Sequence, residues 1–215
     1  MPVIHLLRHG QASFGGPAYD ELSDLGRRQS VIAGRELARR EPRHPLIVCG
    51  TLTRQLDTAG IVVGSGGFPM EPRIDARWDE YDFLAVLERY AVPEEPIGSA
   101  GVQDVLDLAL LAWIEDPAQD GWPAFSGGAI AALEDLAATV TAERRDAVVV
   151  TSAGVVAALC GWLLGLPPGG VVALHRVAVN AAITTLVVGR SGTSLLAFND
   201  HAHFAGQGRE LLTYR

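Results

Sequence analysis

Residues 147–174 carry no charged side chain, and this run constrains the fold more than any other feature. On length alone it would span a bilayer. Ser152-Ala153-Gly154 interrupts it, however, and Pro167-Pro168-Gly169-Gly170 ends it. The pattern reads as a buried strand over residues 148–151, followed by an apolar helix over 155–164. A strand apolar on both faces belongs in the middle of a sheet covered by helices.

The rest of the chain supplies matching pieces. Residues 3–7 form a short apolar strand. Ser23 is placed to cap a helix from 24 to about 40, with Leu25, Ile32, Leu37 and Ala38 at helical spacing. A second strand follows at 46–49 and a helix from 52 to about 63. Ser126 is read as the cap of a helix over 127–144, striped by Ile130, Leu133, Leu136, Ala137 and Val140. Two strands at 183–188 and 194–198 are joined by Gly189-Arg190-Ser191-Gly192, too short a link for anything but an antiparallel pair. Strands alternating with helices predict a three-layer α/β/α sandwich with a mainly parallel sheet. One domain is expected over 1–215, with a helical cap insertion at about 82–125.

Composition narrows the function. All 17 basic residues are arginine, so lysine Schiff bases, PLP aldimines and the P-loop lysine are excluded. The formal charge is −8, which argues against nucleic acid or anionic membrane as a partner. Between Asp82 and Phe125 there are nine acids and one arginine, Arg89. The remaining sixteen acids and sixteen arginines cancel, so the net charge resides in the cap. Cys49 and Cys160 lie in apolar stretches, which suggests a reducing compartment; with no secretion signal visible, the expected location is cytoplasmic.

In open α/β sheets, sites form beyond the carboxyl ends of strands. Arg8-His9-Gly10, Thr51-Leu52-Thr53-Arg54 and Ser152-Ala153-Gly154 occupy those positions. Two arginines, a histidine and hydroxyls there could converge on one anion, with Thr51 capping the next helix and its amides adding to the site.

At this point the chain resembles the histidine phosphatase, or phosphoglycerate mutase-like, superfamily. The resemblance rests on Leu7-Arg8-His9-Gly10-Gln11 after the first strand, Arg54 three residues past Thr51, Asp79-Glu80-Tyr81-Asp82-Phe83, and Asn180-Ala181-Ala182-Ile183-Thr184. It implies a phosphomonoesterase that hydrolyses a small phosphate ester through a phosphohistidine, with no metal or other cofactor. His9 would be the nucleophile and Glu80 the general acid and base. Arg8, Arg54 and Ser152 would bind phosphate, with Gln11, Thr51, Asn180 and His203 in support. A solvated acidic turn is the plainer reading of Glu80 and its neighbours, a strand-end cap that of Ser152, and a structural histidine that of His203.

The family usually has a second histidine where this chain has Ser152. A hydroxyl donates one hydrogen bond but carries no charge, and losing a preorganised donor costs on the order of 3 kcal/mol, about a hundredfold in rate. Two alternatives therefore stand: a mutase, which would need more basic residues than Arg89 in the cap, and a noncatalytic phospho-ligand binding module. A homodimer is left open.

Overall fold

The computed structural model describes residues 1–13, 20–69, 71–91 and 102–214. Among them, six strands form one sheet: β1 (Val3–Arg8), β2 (Leu46–Cys49), β3 (Arg73–Ile74), β4 (Ala147–Thr151), β5 (Ile183–Gly189) and β6 (Gly192–Asp200). Their order is β3-β2-β4-β1-β5-β6. The pairs β3–β2, β2–β4 and β4–β1 are parallel, whereas β1–β5 and β5–β6 are antiparallel. β4 is buried along its whole length, as its unbroken apolar sequence requires.

Among the described residues there are seven α-helices: α1 (Asp24–Arg39), α2 (Thr53–Gly66), α3 (Phe83–Tyr90), α4 (Val102–Glu115), α5 (Trp122–Glu143), α6 (Ala153–Leu164) and α7 (Pro168–Val177). Alternation along the strands divides the core in two. Ile4, Leu6 and Val149 pack with Leu133, Leu136, Val155 and Leu159 of α5 and α6. Leu7, Val148 and Val150 pack with Ala33, Leu37, Ala59 and Val62 of α1 and α2. Each of the leucine, isoleucine and valine side chains contributes about 1.5–3 kcal/mol on burial. Cys49 and Cys160 lie in opposite layers, both buried and unpaired.

Ser23 caps α1 as expected, accepting from the Gly26 N–H at 3.0 Å. Two other assignments need correction. Ser126 is not a cap: α5 starts at Trp122, with Pro123 in its first turn, and the Ser126 hydroxyl bonds back to the Trp122 carbonyl. Nor does Thr51 cap α2; the N-cap is Leu52, without a side-chain cap bond. The charge-free run divides into β4, α6 and α7, with Gly165 ending α6 at φ 62°. Among the described residues, no helix is long and apolar enough to cross a membrane.

α3 and α4 build a small core of their own from Val86, Ala109, Leu110 and Trp113, joined by Tyr81, Trp122 and Phe125. Arg176 fastens α7 to α4 through Asp107 and, at 3.0 Å, through Asp104. This packing stands α3 and α4 over the carboxyl end of the sheet.

Candidate active site

The parallel register sets the ends of β1 and β4 side by side, Arg8 opposite Thr151. His9 follows directly, and its N–H donates to the Thr151 carbonyl at 2.8 Å. Arg54 enters from the first turn of α2, and Glu80 from the segment before α3. Together they line a cavity of about 150 Å³ with Ala12, Tyr81, Phe83, Leu87, Gln103, Leu106, Ala153, His175 and Tyr214.

His9 is held at both ring nitrogens. Nδ1 lies 2.7 Å from the Gly10 carbonyl, which can only accept, so Nδ1 carries the proton. Nε2 is then the bare nitrogen, and Arg54 Nε donates to it at 3.2 Å. Burial, then Arg8 and Arg54, push the imidazole well below its usual pKa. The result is a neutral ring with its lone pair turned toward a guanidinium. Gly10 is required here because a Cβ would overlap the Gly26 carbonyl of α1.

The main chain around His9 is equally constrained. The Ala181 N–H donates to the Arg8 carbonyl at 3.1 Å, and Ala181 sits in the left-handed region at φ 55°. Asn180 Nδ2 donates to the His9 carbonyl at 3.3 Å. Arg8 is anchored by its Nη1, which donates to the carbonyls of Ala178 and Tyr214.

Glu80 is the buried acid. Its Oε2 accepts from the Gly154 N–H at 3.0 Å, and its Oε1 from the Tyr81 N–H at 3.3 Å. Burial raises its pKa; the Gly154 bond and the two arginines oppose that. A carboxyl group whose burial favours its protonated form, beside a neutral imidazole, can give a proton to a leaving oxygen and take one from water.

The other residues singled out in the sequence lie elsewhere. Ser152 is fully buried, and its Oγ accepts from Gln55 Nε2 at 2.9 Å, away from the cavity lining. Thr51 gives its N–H and its hydroxyl to Asp79, both at 2.5 Å. Gln11 Oε1 accepts from Ser23 at the start of α1. His203 Nε2 meets the Ala181 carbonyl at 3.0 Å, one layer behind His9. Asn180 alone of the supporting set bonds to His9 itself.

Sequence reading missed three site residues. Ala153 faces the cavity where Ser152 was expected, because the peptide turns through one more residue as β4 becomes α6. His175 reaches the cavity from α7, and its Nε2 lies 3.3 Å from the Tyr81 hydroxyl. Burial and then Arg8 hold its pKa down at about 4. Asp20 accepts from Arg54 Nη1 at 2.5 Å. Only Asp20 left a hint, as the acid nearest the Arg8-His9-Gly10 motif. Among the described residues, no group of three or more His, Cys, Asp and Glu is arranged to hold a metal ion.

Residues 4–201 match the histidine phosphatase superfamily (branch 1). The glucosyl-3-phosphoglycerate phosphatase of Mycolicibacterium vanbaalenii is 31% identical over 181 residues, covering 75% of this chain and 74% of that protein. The enzyme of the same name from Mycobacterium tuberculosis is 30% identical over 182 residues, covering 75% of each. The native structure of a mycobacterial glucosyl-3-phosphoglycerate phosphatase superposes with a TM-score of 0.64 at 28% identity, over 93% of this chain and 99% of that one. A phosphoglycerate mutase from Bacillus anthracis shares the fold, with a TM-score of 0.67 at 18% identity over 95% of each chain.

The chain belongs to the histidine phosphatase superfamily. Within it, the chain is a phosphomonoesterase, with phosphoryl transfer through a phosphohistidine as is typical of the family.

Proposed function

We propose that His9 is the residue phosphorylated, and that the substrate is a small monophosphate ester with a neutral, largely apolar leaving group. The observation that carries the first part is the His9 ring itself. Its proton is fixed on Nδ1 by Gly10, and its bare Nε2 shares a cavity with two arginines and a buried acid.

In this reading Arg8 and Arg54 grip the nonbridging phosphoryl oxygens, and the substrate replaces the Arg54–His9 bond. The Nε2 lone pair attacks phosphorus as the ester P–O bond breaks. Glu80 gives its proton to the departing oxygen. Water then attacks the phosphohistidine, Glu80 takes its proton, and the P–N bond breaks to release phosphate. Asn180 holds the His9 carbonyl and so positions the nucleophile.

The cavity walls support the second part. Ala12, Phe83, Leu87 and Leu106 present carbon, with Gln103 as one neutral polar group. The cap above them is acidic, which slows the approach of multiply charged anions. With both thiols buried and unpaired, we keep the cytoplasm as the compartment, and with a charge of −8 we propose no nucleic-acid partner. Hydrolysis of phenyl phosphate by the wild type and by His9→Ala tests the assignment. Turnover by the wild type and its loss in the variant is expected; equal rates would refute it.

A further inference from the structure

We infer that Asp20 selects the substrate: its carboxylate fills the cationic position beside the phosphoryl site, so phosphates carrying a second acidic group are rejected. This rests on the phosphatase reading above and adds a specificity determinant to it.

The geometry is specific. Asp20 Oδ1 accepts from Arg54 Nη1 at 2.5 Å, and Oδ2 accepts from the Thr53 N–H, the first amide of α2, at 2.7 Å. Leu52 offers α2 no side-chain cap, so Asp20 caps the helix from outside. It also offsets the unfavourable placing of Arg54 at a helix start. The guanidinium is thereby divided. Its Nε faces the nucleophile, while Nη1 and the neighbouring amide, which together would suit a substrate carboxylate, already hold one from the protein. Asp20 is about a third exposed and Arg54 mostly buried, so the carboxylate is the more solvent-facing partner of an arginine that lines the cavity.

Among the described residues, no other cation is placed to receive a second anion. Arg8 and Arg54 are the only arginines lining the cavity among the described residues. Arg8 Nη1 is bound to two carbonyls, and Arg176 is bound to Asp104 and Asp107. Residues 14–19 and 92–101 contain no arginine, lysine or histidine by sequence, and Arg215 lies outside the described residues. Like charges brought together in a site discriminate strongly between otherwise equal ligands.

Glycerol 3-phosphate and 3-phosphoglycerate differ by one carboxylate, which makes them the probe pair. The wild type is expected to favour glycerol 3-phosphate in kcat/KM. Asp20→Asn removes the charge and is expected to shift the ratio toward 3-phosphoglycerate by about tenfold, seen mainly in KM. Asp20→Ser, whose hydroxyl can still accept from Thr53, should move it the same way. A ratio unchanged in both folded variants, with turnover of both esters lowered equally, would mean that Asp20 only buttresses Arg54, and the inference falls. Wild type and His9→Ala run alongside on phenyl phosphate. Equal rates there would overturn the phosphatase reading itself, which separates the two failures.

Discussion

The Gly154 N–H donates to Glu80 Oε2 at 3.0 Å, and Gly154 has no room for a side chain because a Cβ would overlap Glu80 Oε1 and the Tyr81 ring. The start of α6 therefore seats the acid as well as covering the sheet. A glycine three residues beyond β4 sets the position of a carboxyl group that arrives from a distant part of the chain.

Gly154→Ala is the direct consequence. The added methyl must push Glu80 and Tyr81 outward, at a stability cost of about 1–3 kcal/mol. Turnover of an alkyl phosphate, which needs a proton for its leaving oxygen, should fall by about a hundredfold. An aryl phosphate, with its better leaving group, should lose less. Equal losses on the two esters would show that Glu80 is not the proton donor.

Acid sensitivity follows from the buried imidazoles. His5 and His175 are both lowered to about 4, chiefly by burial, against 6.5 in the unfolded chain. Between these values the unfolded state binds protons that the folded state refuses, so stability falls as pH drops from 6.5 toward 4. Each histidine contributes a slope of up to about 1.4 kcal/mol per pH unit. Urea midpoints measured across this window should fall with decreasing pH, and more gently in His175→Gln. A slope unchanged in that variant would mean that His175 titrates normally.

Much of the frame was legible in the sequence, and the reason is physical. The run at β4 and α6 has only one stable use, and Ser23 has the spacing of a cap. His9, Arg8 and Arg54 could be placed because strand ends fix where the next residues go. Glu80 was legible only through resemblance. Ser152 and Ala153 were not separable by sequence, since a single residue of phase at the strand-to-helix turn decides which side chain faces the cavity. Asp20 and His175 depend on long-range packing, of α2 against the segment before α1 and of α7 against the cap. No local pattern encodes either.

That phase difference can be tested. Ser152 is buried against Gln55, so Ser152→His overpacks the core and is expected to lower stability by about 1–3 kcal/mol without raising turnover. Ala153 faces the cavity, and Ala153→His would add a donor to the phosphoryl group there. Its kcat on phenyl phosphate should rise above wild type. A gain in Ser152→His and none in Ala153→His would reverse the assignment.

The central claim is a phosphoryl group carried on His9 Nε2. Brief mixing with phenyl phosphate, an alkaline quench and peptide mass spectrometry would test it, with Glu80→Gln used to slow the water step. The account predicts one phosphoryl group on the peptide containing His9, stable in base and lost in acid. A phosphoryl group on any other residue, or turnover with no labelled peptide in either protein, would contradict it.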